Sequence, residues 1–444
     1  MTTPTTGAAD TLPKTATQAA AMTGNDGSFQ NVACPFCGIL CDDLEIAKSG
    51  GKLKVVKNGC PKAVAGFERV LPSACPQVNG KDVTLAEAIV AATALIQKAK
   101  LPLYGGLATD VEGMRAIMAL ADRTGGVIDH ALSDGQYRNF KVLQSTGWVM
   151  STLTEVRNRC DLIIIAGSDV HALHPRFFER AVCNAESMFE PQLKRTVVFI
   201  GKGLDRSAVI GPHIGEVIQL DCPVDQVGDV VSALRARLKG VPLSAPFIAD
   251  VPMTAIDDLA ARCLKAAYGV VVWAPPSLNF PNADLTVQVI CDMVRELNVT
   301  QRFAGLSLGG NEGAVTAGAV SSWQSGYPLR VSYANGKPEH DATRNSLNRM
   351  LASGEGDLLV WTAGFTTGIG VPKTALPTIV LGTPGLEMAQ PPAVFIPIGT
   401  PGVDHAGRLV RCDNVVSLPL RNLGRTPLPS AASVLESIEA ALHY

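Results

Sequence analysis

Four cysteines, Cys34, Cys37, Cys41 and Cys60, stand in the pattern C-x2-C-x3-C, with the fourth after a further eighteen residues. Thiols gathered at such spacings suit a four-cysteine site, in a reducing compartment most often an iron–sulfur cluster. Structural zinc usually shows a second C-x2-C pair, which this segment lacks. Four free thiols in a small β module are the remaining alternative. The stretch DDLEIAKSGGKLKVVKNG between the third and fourth cysteines predicts a hairpin turning at SGG, which would bring Cys60 back beside the other three.

Little else in the 444 residues has the form of a reactive group. His171 and His174 in DVHALHPR have a spacing that could suit a metal, but without a neighbouring Cys or Glu they read as polar turn residues. Asp404, His405, Arg408 and Arg411 read as a polar cluster, with a surface loop or subunit contact as the plain alternative. The remaining cysteines, Cys75, Cys160, Cys183, Cys222, Cys263, Cys291 and Cys412, mostly sit on apolar stretches and read as small buried hydrophobes. No Gly-x-Ser-x-Gly, Walker or His-Glu-x-x-His motif occurs, so hydrolase or kinase chemistry within this chain lacks support.

Composition narrows the classes further. A net charge of -2 gives no basic footprint for nucleic acid. With 47% apolar and 18% charged residues and a mean hydropathy of +0.20, large buried surfaces are expected, subunit contacts among them. No run of eighteen apolar residues suggests a membrane span. The Thr- and Ala-rich start has no signal-peptide pattern, and residues 1–29 are expected to be a disordered tail. Eleven cysteines then point to a reducing, cytoplasmic setting, where clustered thiols bind metal or catalyse.

The elements that must position the cysteines repeat one pattern: a short apolar strand, a Gly-rich turn, an amphipathic helix. LPLYGGL, CDLIIIAGSD, TVVFIGKG, GEVIQLDC, GVVVWAPP, RFAGLSLGG, DLLVWTAG, TIVLGTPG and AVFIPIG all read as such strands. They are apolar throughout rather than alternating, as in parallel sheets covered on both faces. The fold class expected is therefore α/β: a small Cys-rich β module followed by doubly wound parallel-sheet domains, which bind ligands at strand carboxyl ends. Helices are predicted at TLAEAIVAATALIQKAK, with a capping box at Thr84 and Glu87, and at ADLTVQVICDMVRELN. The proline-bearing residues 238–254 read as a linker or crossover.

CPFCGILCDDLEI, LYGGLATDVEGMRAI, SSWQSGYPLRVSY and IPIGTPGVDHAGRLVRCDNVVSLPLR resemble the B-type subunit of formylmethanofuran dehydrogenase, a molybdenum/tungsten bis-pterin oxidoreductase, over roughly residues 31–420. The resemblance implies a 4Fe-4S cluster on Cys34, Cys37, Cys41 and Cys60. It divides the chain into a Cys-rich module (30–78), a first α/β domain (79–145 with 306–444) and a second (146–305). The family holds its metal through two pterins and one Cys or selenocysteine just after the first α/β strand. Val111 takes that position here, and a valine has no lone pair to offer. The nearest polar neighbour, Asp110, is a hard oxygen ligand rather than a soft one. Where cofactor-binding members carry Gly-x-Asn-Pro, this chain has Gly167-Ser168-Asp169-Val170. The counterpart turn has become WTAGFTTGIG, with Phe365.

These departures imply that the bis-pterin is absent and that no residue here is catalytic. The function expected is a non-catalytic B-like scaffold in a formyltransferase/hydrolase complex of one-carbon metabolism, partnered by amidohydrolase-like, formyltransferase and further subunits. The alternatives are an active molybdenum or tungsten formylmethanofuran dehydrogenase component and an iron–sulfur electron carrier; a single cluster motif weighs against the last.

Overall fold

The computed structural model describes residues 26–183 and 186–442. Of the tail expected over 1–29, residues 1–25 lie outside that range. Residues 27–29 correct it: they open the strand Gly27–Val32, which pairs antiparallel with Leu44–Ser49. Leu44–Ser49 in turn pairs with Lys52–Lys57 across the predicted turn, where Gly50 and Gly51 take φ of 56° and 75°. Such angles cost a side-chain-bearing residue energy and cost glycine little.

The apolar runs form two parallel sheets. In the smaller, five parallel strands lie in the order Ile214–Leu220, Arg195–Ile200, Leu162–Ala166, Gly269–Trp273, Phe303–Ser307. The larger has nine strands. Its parallel centre runs Val127–Ile128, Pro102–Ala108, Leu358–Ala363, Thr378–Gly382, Val394–Pro397, with short antiparallel strands at both edges. In each sheet the strand order reverses once, between Leu162–Ala166 and Gly269–Trp273 and between Pro102–Ala108 and Leu358–Ala363. These are the points where open α/β sheets take ligands, outside the carboxyl ends.

Alternate residues feed the two faces of each sheet, because side chains on a strand point to opposite sides. Ile163, Ile165, Val197, Phe199, Val270 and Val272 share a core with the Cys segment. Ile164, Val198, Val271 and Trp273 face the helices Val227–Leu238, Met253–Lys265 and Ala283–Leu297. The larger sheet divides likewise, with Val360, Ile379 and Ile396 on one side and Leu359, Val380 and Phe395 on the other. The predicted helices are Leu85–Lys98, with the Thr84–Glu87 capping box formed, and Ala283–Leu297. The stretch 238–254 is more than a linker: Phe247–Ile248 and Val251–Pro252 make a small hairpin. Ala249 and Asp250 turn it at φ of 48° and 70°, as a two-residue hairpin turn requires. Among the described residues, no helix is long and apolar enough to cross a membrane.

His130, buried past the strand Val127–Ile128, fastens the larger sheet to the loop after Phe303–Ser307. Its Nε2 lies 3.0 Å from the Glu312 carbonyl oxygen, and its Nδ1 accepts the Leu132 N–H at 2.9 Å. Protonating Nδ1 would forfeit the second bond and charge a ring in the interior, and burial holds its pKa down at about 4. In the unfolded chain the group titrates near about 6.5, so the folded state gains above that pH and loses the gain as pH falls toward about 4. Denaturant midpoints are expected to fall across that window, and to fall less steeply in His130→Gln.

Candidate functional site

Cys34, Cys37 and Cys41 lie on the loop between Gly27–Val32 and Leu44–Ser49 and are buried, at 4%, 6% and 5% exposure. Cys34 N–H donates to the Cys41 carbonyl at 2.8 Å, and Leu40 N–H to that of Cys37 at 3.2 Å, so the loop closes on itself. The hairpin returns as predicted. Asn58 Nδ2 donates to the Asp43 carbonyl at 2.8 Å, and half-buried Cys60 caps the helix Pro61–Phe67. Phe36 packs edge-on against Phe67, with ring centroids 5.1 Å apart.

The thiols feel one another. Burial first, then the neighbouring Cys37, Cys41 and Cys60, pushes the Cys34 pKa well up. Burial also raises Cys37, with Cys60 adding and Lys62 opposing, and pushes Cys41 up to about 12 against Arg180 and Arg176. Cys34 thus lies within electrostatic reach of the other three cysteines, and Lys62, Arg176 and Arg180 act on Cys37 or Cys41. Arg176 is anchored by both oxygens of Asp43, at 2.7 and 2.8 Å, and by Glu179. Among the described residues, no group of three or more His, Cys, Asp or Glu is disposed to hold a single metal ion.

The Cys loop wedges against the carboxyl ends of both sheets. At Gly38 a Cβ would fall 1.8 Å from the Gly309 carbonyl oxygen, and Cys412 N–H donates to the Gly38 carbonyl at 2.8 Å. Cys412 is buried as expected and also sits beside Cys37; burial first, then Asp413 and Cys37, pushes its pKa well up. Its neighbourhood depends on a close approach between distant segments, which sequence spacing does not carry. Cys160, Cys183, Cys222, Cys263 and Cys291 are buried as expected; Cys75 is exposed.

Val111 is 8% exposed, in the first turn of the helix Val111–Thr124, within the apolar core of the larger sheet. Asp110 caps that helix, accepting Gly113 N–H at 3.1 Å. Its carboxyl, raised by burial, faces the absent side chain of Gly407 and lies near His405. At the larger sheet's reversal point Phe365, 1% exposed, packs with Ala33, Leu40, Ala108, Leu409 and Leu420, while Gly364 N–H reaches the Ala108 carbonyl at 2.8 Å. At the smaller sheet's reversal point Ser168 bridges the two strand ends: its hydroxyl donates to Ala166 O at 3.0 Å and accepts Ala274 N–H at 2.8 Å. Asp169 caps the short helix Val170–Leu173, accepting Ala172 N–H. Protein groups thus satisfy backbone groups at both reversal points.

Two readings of polar residues change. His174 lies in the turn that ends the helix Val170–Leu173 but is buried, 1% exposed, with its pKa held down at about 3 by burial and nearby Lys62. His171 stays near the surface, 3.9 Å from Asp205. Asp404, His405, Arg408 and Arg411 do not form one cluster. Asp404 is buried and clasped by Arg425 at 2.6 and 3.1 Å, Arg411 pairs with Asp413, His405 turns toward Asp110, and Arg408 is exposed. Arg425 lies outside every motif read from the sequence.

No family model matches this chain. It is similar, at 29% identity over 408 residues, to the B-type subunit of tungsten-containing formylmethanofuran dehydrogenase 2 of Methanocaldococcus jannaschii, spanning 87% of this chain and 92% of that one. It is 27% identical over 338 residues to the B-type subunit of the formyltransferase/hydrolase complex Fhc of Methylorubrum extorquens, spanning 75% of this chain and 87% of the relative. The solved formyltransferase/hydrolase complex (FhcABCD) of that bacterium, in complex with methylofuran, contains a chain that superposes with a TM-score of 0.69 at 25% identity. The match covers 83% of this chain and 98% of that one. The chain is a homologue of the B-type subunit of formylmethanofuran dehydrogenase. Within that kinship it is also close to the corresponding Fhc component.

Two substitutions check these contacts. Gly38→Ala forces a methyl group against the Gly309 backbone, so the Cys loop must lift; a loss of roughly 1–3 kcal/mol is expected in denaturant titration. Arg425→Ala strands the Asp404 carboxylate, whose side chain is wholly buried, and about 3–5 kcal/mol is expected.

Proposed function

We propose that this chain is a non-catalytic B-like component of a cytoplasmic formyltransferase/hydrolase complex, in which formyl groups derived from formaldehyde leave as formate. The observation that carries the reading is Val111: the position of the family's metal ligand is an apolar side chain packed in a sheet core. Phe365 and the Ser168–Ala274 bridge support it, because they occupy the reversal points where a dinucleotide would lie. The residues present do not fit a bis-pterin.

The four cysteines do fit an iron–sulfur cluster. Three are buried in an apolar shell, and Lys62, Arg176 and Arg180 offset the charge that thiolates would bring. Cys34, Cys37, Cys41 and Cys60 would hold it, and a bound cluster would supply one-electron chemistry or a brace for the loop. Without an active metal the chain acts by joining its neighbours, an amidohydrolase-like and a formyltransferase subunit, as a scaffold over interfaces of at least about 1,600 Å².

Metal analysis of the native complex, purified anaerobically, tests both halves. Iron with brown colour, bleached by Cys37→Ser, is expected; colourless, iron-free protein would leave zinc or bare thiols. Val111→Cys alone is expected to bind neither molybdenum nor tungsten, since the crevices stay filled. Deleting the scaffold chain should abolish assembly and formate release; normal turnover without it would end the scaffold reading. The wide match to a tungsten-containing relative favours the active dehydrogenase as a second reading, and stoichiometric tungsten or molybdenum in native protein would establish it.

A further inference from the structure

A cavity of about 550 Å³ lies beside the smaller sheet, at the carboxyl ends of Gly269–Trp273 and Phe303–Ser307, under the helices Ser133–Thr146 and Ala314–Ser325. Its volume falls among those of small-molecule sites. Among the described residues that line it there is no Asp, Glu, Lys or Arg. Phe140, Trp148, Met150 and Trp323 supply apolar and aromatic wall.

Four of its lining polar atoms are buried without a partner: three acceptors and one donor, the indole Nε1 of Trp148. Gln136 gives its amide N–H to the Ala314 carbonyl at 2.8 Å, leaving its Oε1 buried and without a partner. Asn311 Oδ1 is likewise buried and unpartnered. His174, itself 1% exposed, has a hydrogen bond to the Leu308 backbone and an unpartnered Nδ1. All three atoms are acceptors in this arrangement, and a buried acceptor left unmatched is costly.

Two glycines add an independent observation. Gly318 sits in the middle of the helix Ala314–Ser325, where glycine costs about 1 kcal/mol relative to alanine. A Cβ there would meet nothing closer than 3.8 Å, at Gln136 and Phe140. Gly309 would meet nothing within 4 Å, and neither residue has a positive φ. The chain's own packing therefore does not explain these glycines; both keep the cavity clear.

We propose that this cavity binds a neutral, ring-bearing small molecule that donates N–H hydrogen bonds and accepts one from the Trp148 indole, such as an aromatic amide. The absence of lining charge disfavours phosphate-bearing nucleotides and carboxylates, whose desolvation the neutral Trp148 N–H alone would not offset. The site is independent of the scaffold reading, since binding is measured on the chain itself and assembly on the complex.

Ligand-observed saturation-transfer NMR on the full chain, with benzamide and its anionic isostere benzoate, tests it. Benzamide is expected to bind and benzoate about tenfold more weakly. Gly318→Leu, whose Cβ enters open space and whose side chain extends into the cavity, should abolish the benzamide signal while keeping the unfolding midpoint at or above that of the parent. Should Gly318→Leu fail to fold, Gln136→Leu should weaken benzamide about tenfold by removing one acceptor. No benzamide binding at millimolar concentration, equal binding of the two probes, or benzamide binding unchanged in the folded variant overturns the proposal.

Discussion

The closest constraint in the molecule is the approach of Gly38 to Gly309 and Gly310, where the Cys loop meets the chain leaving the strand Phe303–Ser307. A side chain at Gly38 or Gly310 would not fit between these backbones. Because they touch, Phe36, Ile39 and the cysteines join the core of the smaller sheet, while Ala33 and Leu40 reach across to Phe365 and Ala108 of the larger one. One short loop thus shares a core with the ends of two sheets. Cys34, Cys37 and Cys41 owe their burial to this placement, and burial is the leading cause raising the pKa of each.

The same approach governs what the carboxyl ends can do. A doubly wound sheet leaves an opening where its strand order reverses, and something must cover the backbone groups exposed there. At one opening Ser168 satisfies Ala166 and Ala274 together. At the other, Phe365 buries a full aromatic side chain, worth roughly 2–3 kcal/mol of transfer free energy. Beside it Glu312, held at a left-handed φ of 54°, accepts the Thr366 hydroxyl at 2.6 Å. A ligand seated at either opening would first have to break these contacts. The cavity beside Gly318 differs: its polar atoms are unpartnered and its glycines leave space.

Much of the fold was legible because its strands are buried on both faces. LIIIA at Leu162–Ala166 and LLVWTA at Leu358–Ala363 leave no polar alternation to mislead, and Thr84 with Glu87 announces a helix start that the structure keeps. The edges were not legible. Gln77–Val78, Lys81–Asp82 and Glu339–His340 are two residues long and set only by their neighbours, and residues 27–29 read as tail because the strand Gly27–Val32 is mostly exposed. In the candidate site the cysteine spacing was legible because hairpin geometry is local. The Asp404–Arg425 pair, the place of Cys412 and the depth of His174 were not, because each depends on segments that meet only in the folded chain.

The persistence of the Cys segment does not need a catalytic metal elsewhere in the chain. Removing Phe36, Ile39 or Leu40 would open a void shared by both sheets, and voids in packed interiors cost several kcal/mol. Val111 shows the opposite case. A side chain at the head of a helix that needs only to fill sheet core can exchange a donor atom for methyl groups, because Asp110, not residue 111, caps the helix. Residue 111, the position that the proposed reading aligns with the family's metal ligand, is therefore mechanically cheap to change, and the cysteine loop is dear. A chain of this fold can change one and keep the other without unfolding, as the proposed reading requires.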